Sequence, residues 1–394
     1  MARALISGAG IAGPTLAYWL ARYGMEVTLV ESAPRLRTGG YVIDFWGLGF
    51  DVADRMGLLP EIRRQGYRVR EVNVVNGAGK RVAGFHAETI ARLVQDRYVS
   101  IARGDLAAAI FRSLDGTVEA IFGDRIARID QDAGCARVAF DSGAAREFDI
   151  VIGADGLHSR TRELVFGAQA QFEKYLGYKV AAFEAFGYRP RDELTYVMYT
   201  EVGQQVSRFA MSCDRTLFLF IFADPDPGGP ESADIAEQKA LLQKRFANSG
   251  WECPRILREL AAAKELYFDR VSQIRMGSWS SGRVTLTGDA AFCVSLLAGQ
   301  GSALAMVAAY ILAGEIHRAG GDYASAFAKY QERFEPFVAK KQKAALGFAS
   351  AFAPKSELGL FIRNRVFNLL KFPGMLNLTV TRELADRLEL PRYE

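Results

Sequence analysis

Histidine and cysteine are scarce in this chain, at three and four residues among 394. His86, His158 and His317 stand far apart, as do Cys135, Cys213, Cys253 and Cys293. No His/Cys cluster has metal-ligand spacing, and there is neither a CxxC pair nor a disulfide framework, so the thiols are expected to be reduced in a cytoplasmic protein. Long apolar runs are missing too; none reaches the roughly 18 residues that would suggest a membrane span. The chain enters a strand-like ALIS without a basic region and apolar stretch before it, so no secretory signal is expected. Nor is there a block of one charge. The 49 basic and 45 acidic residues are interleaved, with a formal charge of +4, which gives no footprint for nucleic acid. Internal repeats and low-complexity segments are absent.

What remains is the composition of a globular protein, 50% hydrophobic and 24% charged, long enough for two or three domains or for one large domain with an insertion. ALISGAGIAGPTLAYWLARYGMEVTLVE, from Ala4 to Glu31, predicts strand, Gly8-x-Gly10-x-x-Gly13, helix and strand. The glycines permit a tight turn, close approach of backbone to a pyrophosphate, and close packing of helix on strand, with small Ala12 beside the third. The helix N-terminus offers N–H groups and partial positive charge, and Pro14 suits its first turn. Glu31 ends the second strand, where a carboxylate accepts ribose hydroxyls and disfavours a 2′-phosphate; FAD or NAD is expected there rather than NADP. Gly47-Leu48-Gly49 imitates this motif, but Val52 replaces the third glycine, and a plain strand-to-helix turn is expected.

Two further strands finish in small-residue turns carrying an acid. FDIVIGADGLHSRTRELVFG ends at Asp155-Gly156, followed by Ser159 and Arg162; RVTLTGD ends at Gly288-Asp289, followed by Gly299-Gln300-Gly301 and a helix from about Ser302. Ligands in open α/β sheets sit at the carboxyl ends of strands, so the three tips can converge on one cofactor. Glycines before a helix let its positive end come close to an anionic group. Plainer readings stand beside these: Asp155 as a helix cap, Arg103 as a surface cation, Asp289 as a turn residue and the glycines as a flexible loop.

Together these motifs resemble, in order over about residues 3 to 317, the single-component (group A) FAD-dependent aromatic hydroxylases of the para-hydroxybenzoate hydroxylase fold. The chain looks most like members near the tetracycline-inactivating and salicylate-type monooxygenases. The resemblance implies an α/β fold, with a Rossmann-like FAD-binding domain, an inserted, mainly antiparallel substrate-binding sheet and a C-terminal helical segment. It implies FAD held by Gly8, Gly10, Gly13 and Glu31, by Arg103 at the phosphates, and by Asp155 and Asp289. Arg37, Gly40 and Asp44 would line the flavin and its access path, and Leu296, Gly299, Gln300, Gly301 and Ser302 would lie near the ring. NADPH or NADH would act as transient reductant, and oxygen would pass through a C4a-hydroperoxyflavin to an aromatic or polycyclic small molecule. The protein would be a monomer or homodimer. Phe292 and Leu296 stand where relatives usually have His and Pro beside the flavin.

The expected division gives 1–66, 101–170 and 271–340 to the FAD-binding domain, 67–100 and 171–270 to the substrate domain, and 341–394 to a C-terminal helical segment. KVAAFEAFGY, ELTYVMYTEV, QQVSRFAMSC and RTLFLFIFA predict four strands over the flavin, with a hairpin added from 67–100. Phe183, Tyr196, Arg208, Phe218 and Phe220 are candidates to line the substrate pocket, although strand aromatics are commonly core. Near the C-terminus, Leu358, Phe361, Ile362, Val366, Phe367 and Leu370 form a helical apolar pattern. It predicts a helix packed on the domain boundary with its basic residues wet, or one lying on a membrane surface.

Two other functions are open. A flavin-dependent halogenase should carry WxWxIP, whereas Trp19, Trp46, Trp251 and Trp279 stand alone. The other is a flavoprotein that binds a small molecule without turnover.

Overall fold

The computed structural model describes all residues except 38–40, 89–93, 95, 229–233, 370–387 and 394. The chain opens with β1 (Arg3–Ser7), α1 (Ala12–Arg22), β2 (Glu26–Glu31), β3 (Val42–Trp46), α2 (Leu48–Arg55) and α3 (Leu59–Gln65). Then come β4 (Glu71–Val75), β5 (Arg81–His86), β6 (Tyr98–Ala102), α4 (Arg103–Arg112), β7 (Glu119–Phe122), β8 (Ile126–Gln131), β9 (Ala136–Phe140), β10 (Ala145–Phe148), β11 (Ile150–Gly153) and α5 (Arg160–Phe166). The middle of the chain forms β12 (Glu173–Phe186), β13 (Thr195–Glu201), β14 (Gln204–Ala210), β15 (Arg215–Ala223), α6 (Ile235–Phe246), α7 (Cys253–Ala262) and β16 (Tyr267–Ile274). Last are β17 (Ser280–Ser281), β18 (Val284–Leu286), α8 (Asp289–Phe292), α9 (Gly301–Ala319), α10 (Tyr323–Phe352) and α11 (Glu357–Leu369).

One sheet has the order β17-β18-β11-β1-β2-β7, parallel except for β17. Its central strands are buried on both faces, which is why ALIS and IVIG read as unbroken apolar runs. Helix α9 is buried along most of its length and packs with α1, α2 and α10 in the largest core. Gly49 lets α2 lie against α9, because a Cβ there would stand 2.6 Å from Ala303. A smaller antiparallel sheet, β10-β9-β8, closes one flank.

The second large sheet has the order β16-β12-β15-β14-β13-β4-β5, antiparallel apart from the β13–β4 pair. The four strands predicted between residues 179 and 223 form β12 to β15, and the predicted hairpin forms β4 and β5. The outer face of this sheet packs on α6 and α7 through Phe183, Phe218, Phe220, Phe246 and Ile256. Its inner face, with Ala182, Tyr196, Phe209 and Leu217, meets Tyr41, Val42, Tyr67 and Ala102, in and beside β3 and β6.

Helix α10 runs without a break through residue 340, where the C-terminal segment was expected to begin. In α11 most of the predicted packed face is open: Leu358, Phe361, Ile362 and Val366 are exposed, whereas Phe367 packs edge-on against Phe85 as expected and the basic Arg363 is buried against Thr200. Leu370 lies outside the described residues. Among the described residues no helix is long and apolar enough to cross a membrane, and no group of acidic, His and Cys side chains is arranged for a metal. The four cysteines are free.

Candidate active site

Strand register assembles the site. Ser7 lies beside Gly153 and Val30, and Gly153 beside Leu286, so four chain segments leave the sheet side by side at the same carboxyl edge. The segments are the glycine loop, Glu31, the Ala154–Asp155 turn and the Gly288–Asp289 turn. A Cβ on Gly8 would stand 2.5 Å from the Ala154 carbonyl, and one on Gly13 would stand 1.9 Å from the Gly8 carbonyl. These two glycines are therefore obligatory for the turn to close.

Around the gap beyond these tips stand groups of one chemistry. Arg103 Nη2 is 3.6 Å from where a Gly10 Cβ would be, and its neighbour Leu106 is fully buried behind it. Gly288 approaches Ala12, and Asp289 Oδ1 lies 3.9 Å from the position of a Gly301 Cβ. No side chain caps the N-terminus of α1 or of α9, which leaves their first N–H groups available. A cation, two uncapped helix ends and a close-approach glycine loop form a donor set that fits a dinucleotide pyrophosphate. Burial raises the pKa of Asp289, with the Arg103 charge partly opposing the rise.

The other predicted residues take distinct places. Glu31 accepts from Ala9 N at 2.8 Å and Ala33 N at 2.9 Å, so it braces the glycine loop as well as facing the cofactor edge. Asp155 is occupied within its own turn, accepting from Ser159 Oγ, Thr161 N and Thr161 Oγ1 at 2.5–2.9 Å, and so braces the start of α5, whose N-cap is Ser159. Gln300 and Ser302 are half-buried at the start of α9, Gly299 is exposed with φ +65°, and Arg37 is exposed. Gly40 lies outside the described residues.

Two groups of residues need correction. Phe183, Phe218 and Phe220 stack with one another on the outer face of the sheet, away from the strand tips, with Phe183 and Phe218 centroids 5.0 Å apart. Arg208, 3% exposed, lies on that same outer face, paired with Glu252 at 3.0 Å and with Asp192, beside an open cleft of about 530 Å³. Only Tyr196 of the five faces inward. Phe292 is buried in an aromatic cluster with Trp279 at 4.9 Å and Phe334 at 5.3 Å. Leu296 and Leu297 pack on Tyr178, Val180, Ile221 and Val271 of the inner sheet face.

Sequence reasoning missed several groups in the gap between the domains. Tyr41 and Tyr267 meet there at 5.6 Å, the Tyr41 pKa pushed up to about 12 by burial. His158 bridges the turn after Asp155 to Asp269 of β16 at 3.0 Å. Arg162, fully buried, donates to the carbonyls of Ala290 and Leu157 and to Gln169, joining the second acidic turn to the third. Serine and arginine after the Asp155 turn were visible in the sequence; their long-range partners were not.

Comparison with known proteins agrees with this construction. Residues 1–340 match the FAD_binding_3 family, described as an FAD binding domain. An uncharacterized protein of Mycobacterium tuberculosis is 39% identical over 343 residues, covering 87% of this chain and 92% of that one. A flavin-dependent monooxygenase from an unknown prokaryotic organism is 32% identical over 391 residues, covering 99% and 98%. The crystal structure of the tetracycline destructase Tet(55) superposes with a TM-score of 0.84 at 31% identity, covering 99% of this chain and 98% of that one. With its nucleotide frame, inserted sheet and full-length likeness to such enzymes, the chain belongs to the FAD_binding_3 family and is an FAD-dependent monooxygenase of group A.

Proposed function

We propose that the enzyme hydroxylates a polycyclic or aromatic small molecule bearing an acidic phenol or enol hydroxyl, with NADH or NADPH as transient reductant. What supports this reading is the group of tyrosines where the β3/β6 ribbon meets the inner sheet face: Tyr41 and Tyr267 meet at 5.6 Å, Tyr196 packs in the same cluster, and Tyr98 donates to Asp44 beside them.

In this reading Gly8, Gly10, Ala12, Gly13 and Arg103 hold the pyrophosphate and Glu31 the adenosine ribose. Asp289 meets the ribityl hydroxyls, and Gly299 to Ser302 bring the start of α9 to the ring. Bound FAD supplies hydride acceptance and dioxygen activation. The chain's own residues bind, orient and exclude water. The tyrosines offer hydroxyl contacts from a largely buried wall, and the α9 N-terminus favours negative charge beside it.

The test is direct. FAD-loaded protein is given NADH or NADPH with tetracycline and a panel of phenols, and both stimulated reductant oxidation and incorporation of one ¹⁸O atom from O₂ are measured. Stimulated oxidation with labelled product is expected for at least one probe; none across the panel removes this substrate class.

A further inference from the structure

We propose that the open cleft on the outer face of the second sheet binds a small organic cation, a primary ammonium carried on an aromatic or apolar body, between Asp192 and the Trp251 ring.

Strand pairing places the cleft. Asn73, Val197, Arg208, Phe218 and Phe183 stand side by side across β4, β13, β14, β15 and β12, and so share one face of the sheet. At one end of this row Phe183 and Phe218 are packed with Phe246 of α6 and Ile256 of α7. At the other end Asn73, Val197 and Arg208 line a cleft of about 530 Å³, together with Val75, Trp251 and Glu252. Small-molecule sites commonly enclose roughly 300–1,000 Å³. Tyr196 and Phe209, the chain neighbours of Val197 and Arg208, belong to the inner face. A guest in the cleft therefore lies on the reverse of the sheet from the tyrosine cluster and does not compete for its space.

Arg208 sets the charge of the cleft without offering a donor to a guest. Its Nε and Nη2 donate to Glu252 at 3.0 and 3.2 Å, Nη2 also to Asp192 Oδ2 at 2.5 Å, and Nη1 to the Arg191 carbonyl at 3.0 Å. Glu252 Oε2 accepts from Tyr188 OH at 2.7 Å as well. One buried guanidinium thus faces two carboxylates. Glu252 matches it with both oxygens, which leaves Asp192 as surplus negative charge; its side chain is half exposed, and Oδ1 accepts no hydrogen bond among the described residues. Arg81, the other cation lining the cleft, is engaged by Glu71 at 3.3 Å, and His86 beside Glu71 adds charge only when protonated. Arg189 and Arg191, on either side of Pro190, are paired with Asp214 and Glu193 and do not cancel the Asp192 charge.

Trp251 supplies the second contact. It is half-buried at φ +54°, a conformation that bulky side chains rarely adopt. Its N–H donates to the Gly77 carbonyl at 2.7 Å, and Gly250 N donates to Tyr199 OH at 3.2 Å, so the tip of the β4/β5 hairpin and the sheet hold the strained residue in place. The Arg208 guanidinium stands 5.7 Å from the ring centre on one side and bonds Asp192 on another, which sets ring and carboxylate within the span of one small molecule. An aromatic or apolar body gains contact with Trp251, Val75 and Val197, and an ammonium gains the ring face and a carboxylate oxygen with no competing donor. An anion on the same body meets Asp192 instead.

In the experiment, FAD-loaded protein is titrated by calorimetry with tryptamine and with indole-3-propionate, which carries the same ring and the opposite charge. Tryptamine should bind with a Kd of about 1 mM or tighter, and indole-3-propionate at least about tenfold more weakly. Asp192→Asn keeps an oxygen for Arg208 and suits the φ of +50° at this position. It should weaken tryptamine about threefold to fivefold and flatten the dependence of its binding on salt. Trp251→Gly, which relieves the positive φ and removes the ring, should weaken tryptamine at least about fivefold. If the glycine variant does not fold, Asp192→Asn carries the test. Equal affinity for the two indoles would show that charge does not select the guest, and tryptamine binding unchanged by Asp192→Asn at low salt would show that the guest sits elsewhere. Either result overturns the proposal, as does the absence of tryptamine binding at millimolar concentration.

Discussion

Arg162 Nη1 donates to the carbonyl of Ala290 at 2.9 Å, across 128 residues of chain. The guanidinium is fully buried, and Nη2 reaches Leu157 O and Gln169 at the same time. One side chain thus fixes the turn after β11 to the helix that starts at Asp289. Arg162→Met should destabilise the apoprotein by about 3 kcal/mol, the scale of lost hydrogen bonds to a buried charged group. It should also weaken FAD binding by about tenfold or more, because the two turns lose their mutual alignment. Urea unfolding of apoprotein and a flavin-fluorescence titration check both; a cost below about 1 kcal/mol would show that the turns hold their positions without it.

Asp289 sets stability against binding. Burial is the main cause of its raised pKa. A carboxyl raised in the folded state contributes stability below the pKa it has in the unfolded chain, and that contribution is lost as pH rises through the folded-state value. Asp289→Asn should therefore stabilise apoprotein at pH 8, with little effect near pH 4. The same substitution, and more strongly Asp289→Ala, should reduce FAD affinity at least about tenfold. Unchanged FAD affinity in both variants would remove Asp289 from the cofactor site.

His158 gives a pH readout of the contact between the domains. Its pairing with Asp269 is the first cause of a raised pKa. For a histidine the sign is clear: the stabilising pair is fully present below the unfolded-chain value of about 6.5 and is lost as pH rises through the raised folded value. Asp269→Asn should bring the His158 titration midpoint down towards about 6.5. With three histidines in the chain, NMR titration assigned by His158→Gln resolves it. A midpoint unmoved by the substitution would mean that the pair is not formed in solution.

Much of the nucleotide frame was legible because its chemistry is local. A glycine that must turn, an acid that must end a strand and a helix that must start without a side-chain cap each leave a short-range signature. The substrate side was not legible, because both faces of the second sheet are apolar. Ala182 faces the gap and Phe183 the outer helices, yet alternation alone does not say which side is which. Arg208 looked like a substrate cation until its partner Glu252 appeared, 44 residues away in sequence. Phe292 follows two alanines at a helix end, and nothing local distinguishes a turn towards Trp279 from one towards the cofactor. Asp44 was placed by approximate spacing; its partner Ser100 stands across a strand pairing, 56 residues away in sequence.

Leu296 tests whether the loop before α9 governs chemistry without governing binding. Ser295 carries φ +130° and ψ 138°, and its hydroxyl accepts from Leu297 N at 3.2 Å, while Leu296 O accepts from Gly299 N at 3.1 Å. Leu296 is the first residue of that turn, a position that tolerates proline, and the ψ of Ser295 lies in the range a following proline requires. Leu296→Pro should stiffen the loop, with stability changed by no more than about 1 kcal/mol as lower unfolded-chain entropy offsets lost packing on Val180 and Ile221. FAD affinity should stay within about twofold, whereas the yield of oxygenated product per reductant oxidised should change, because the loop lies on the sheet side of the gap. A tenfold loss of FAD, about 1.4 kcal/mol, with unchanged coupling would reverse that assignment and make the loop a cofactor clamp.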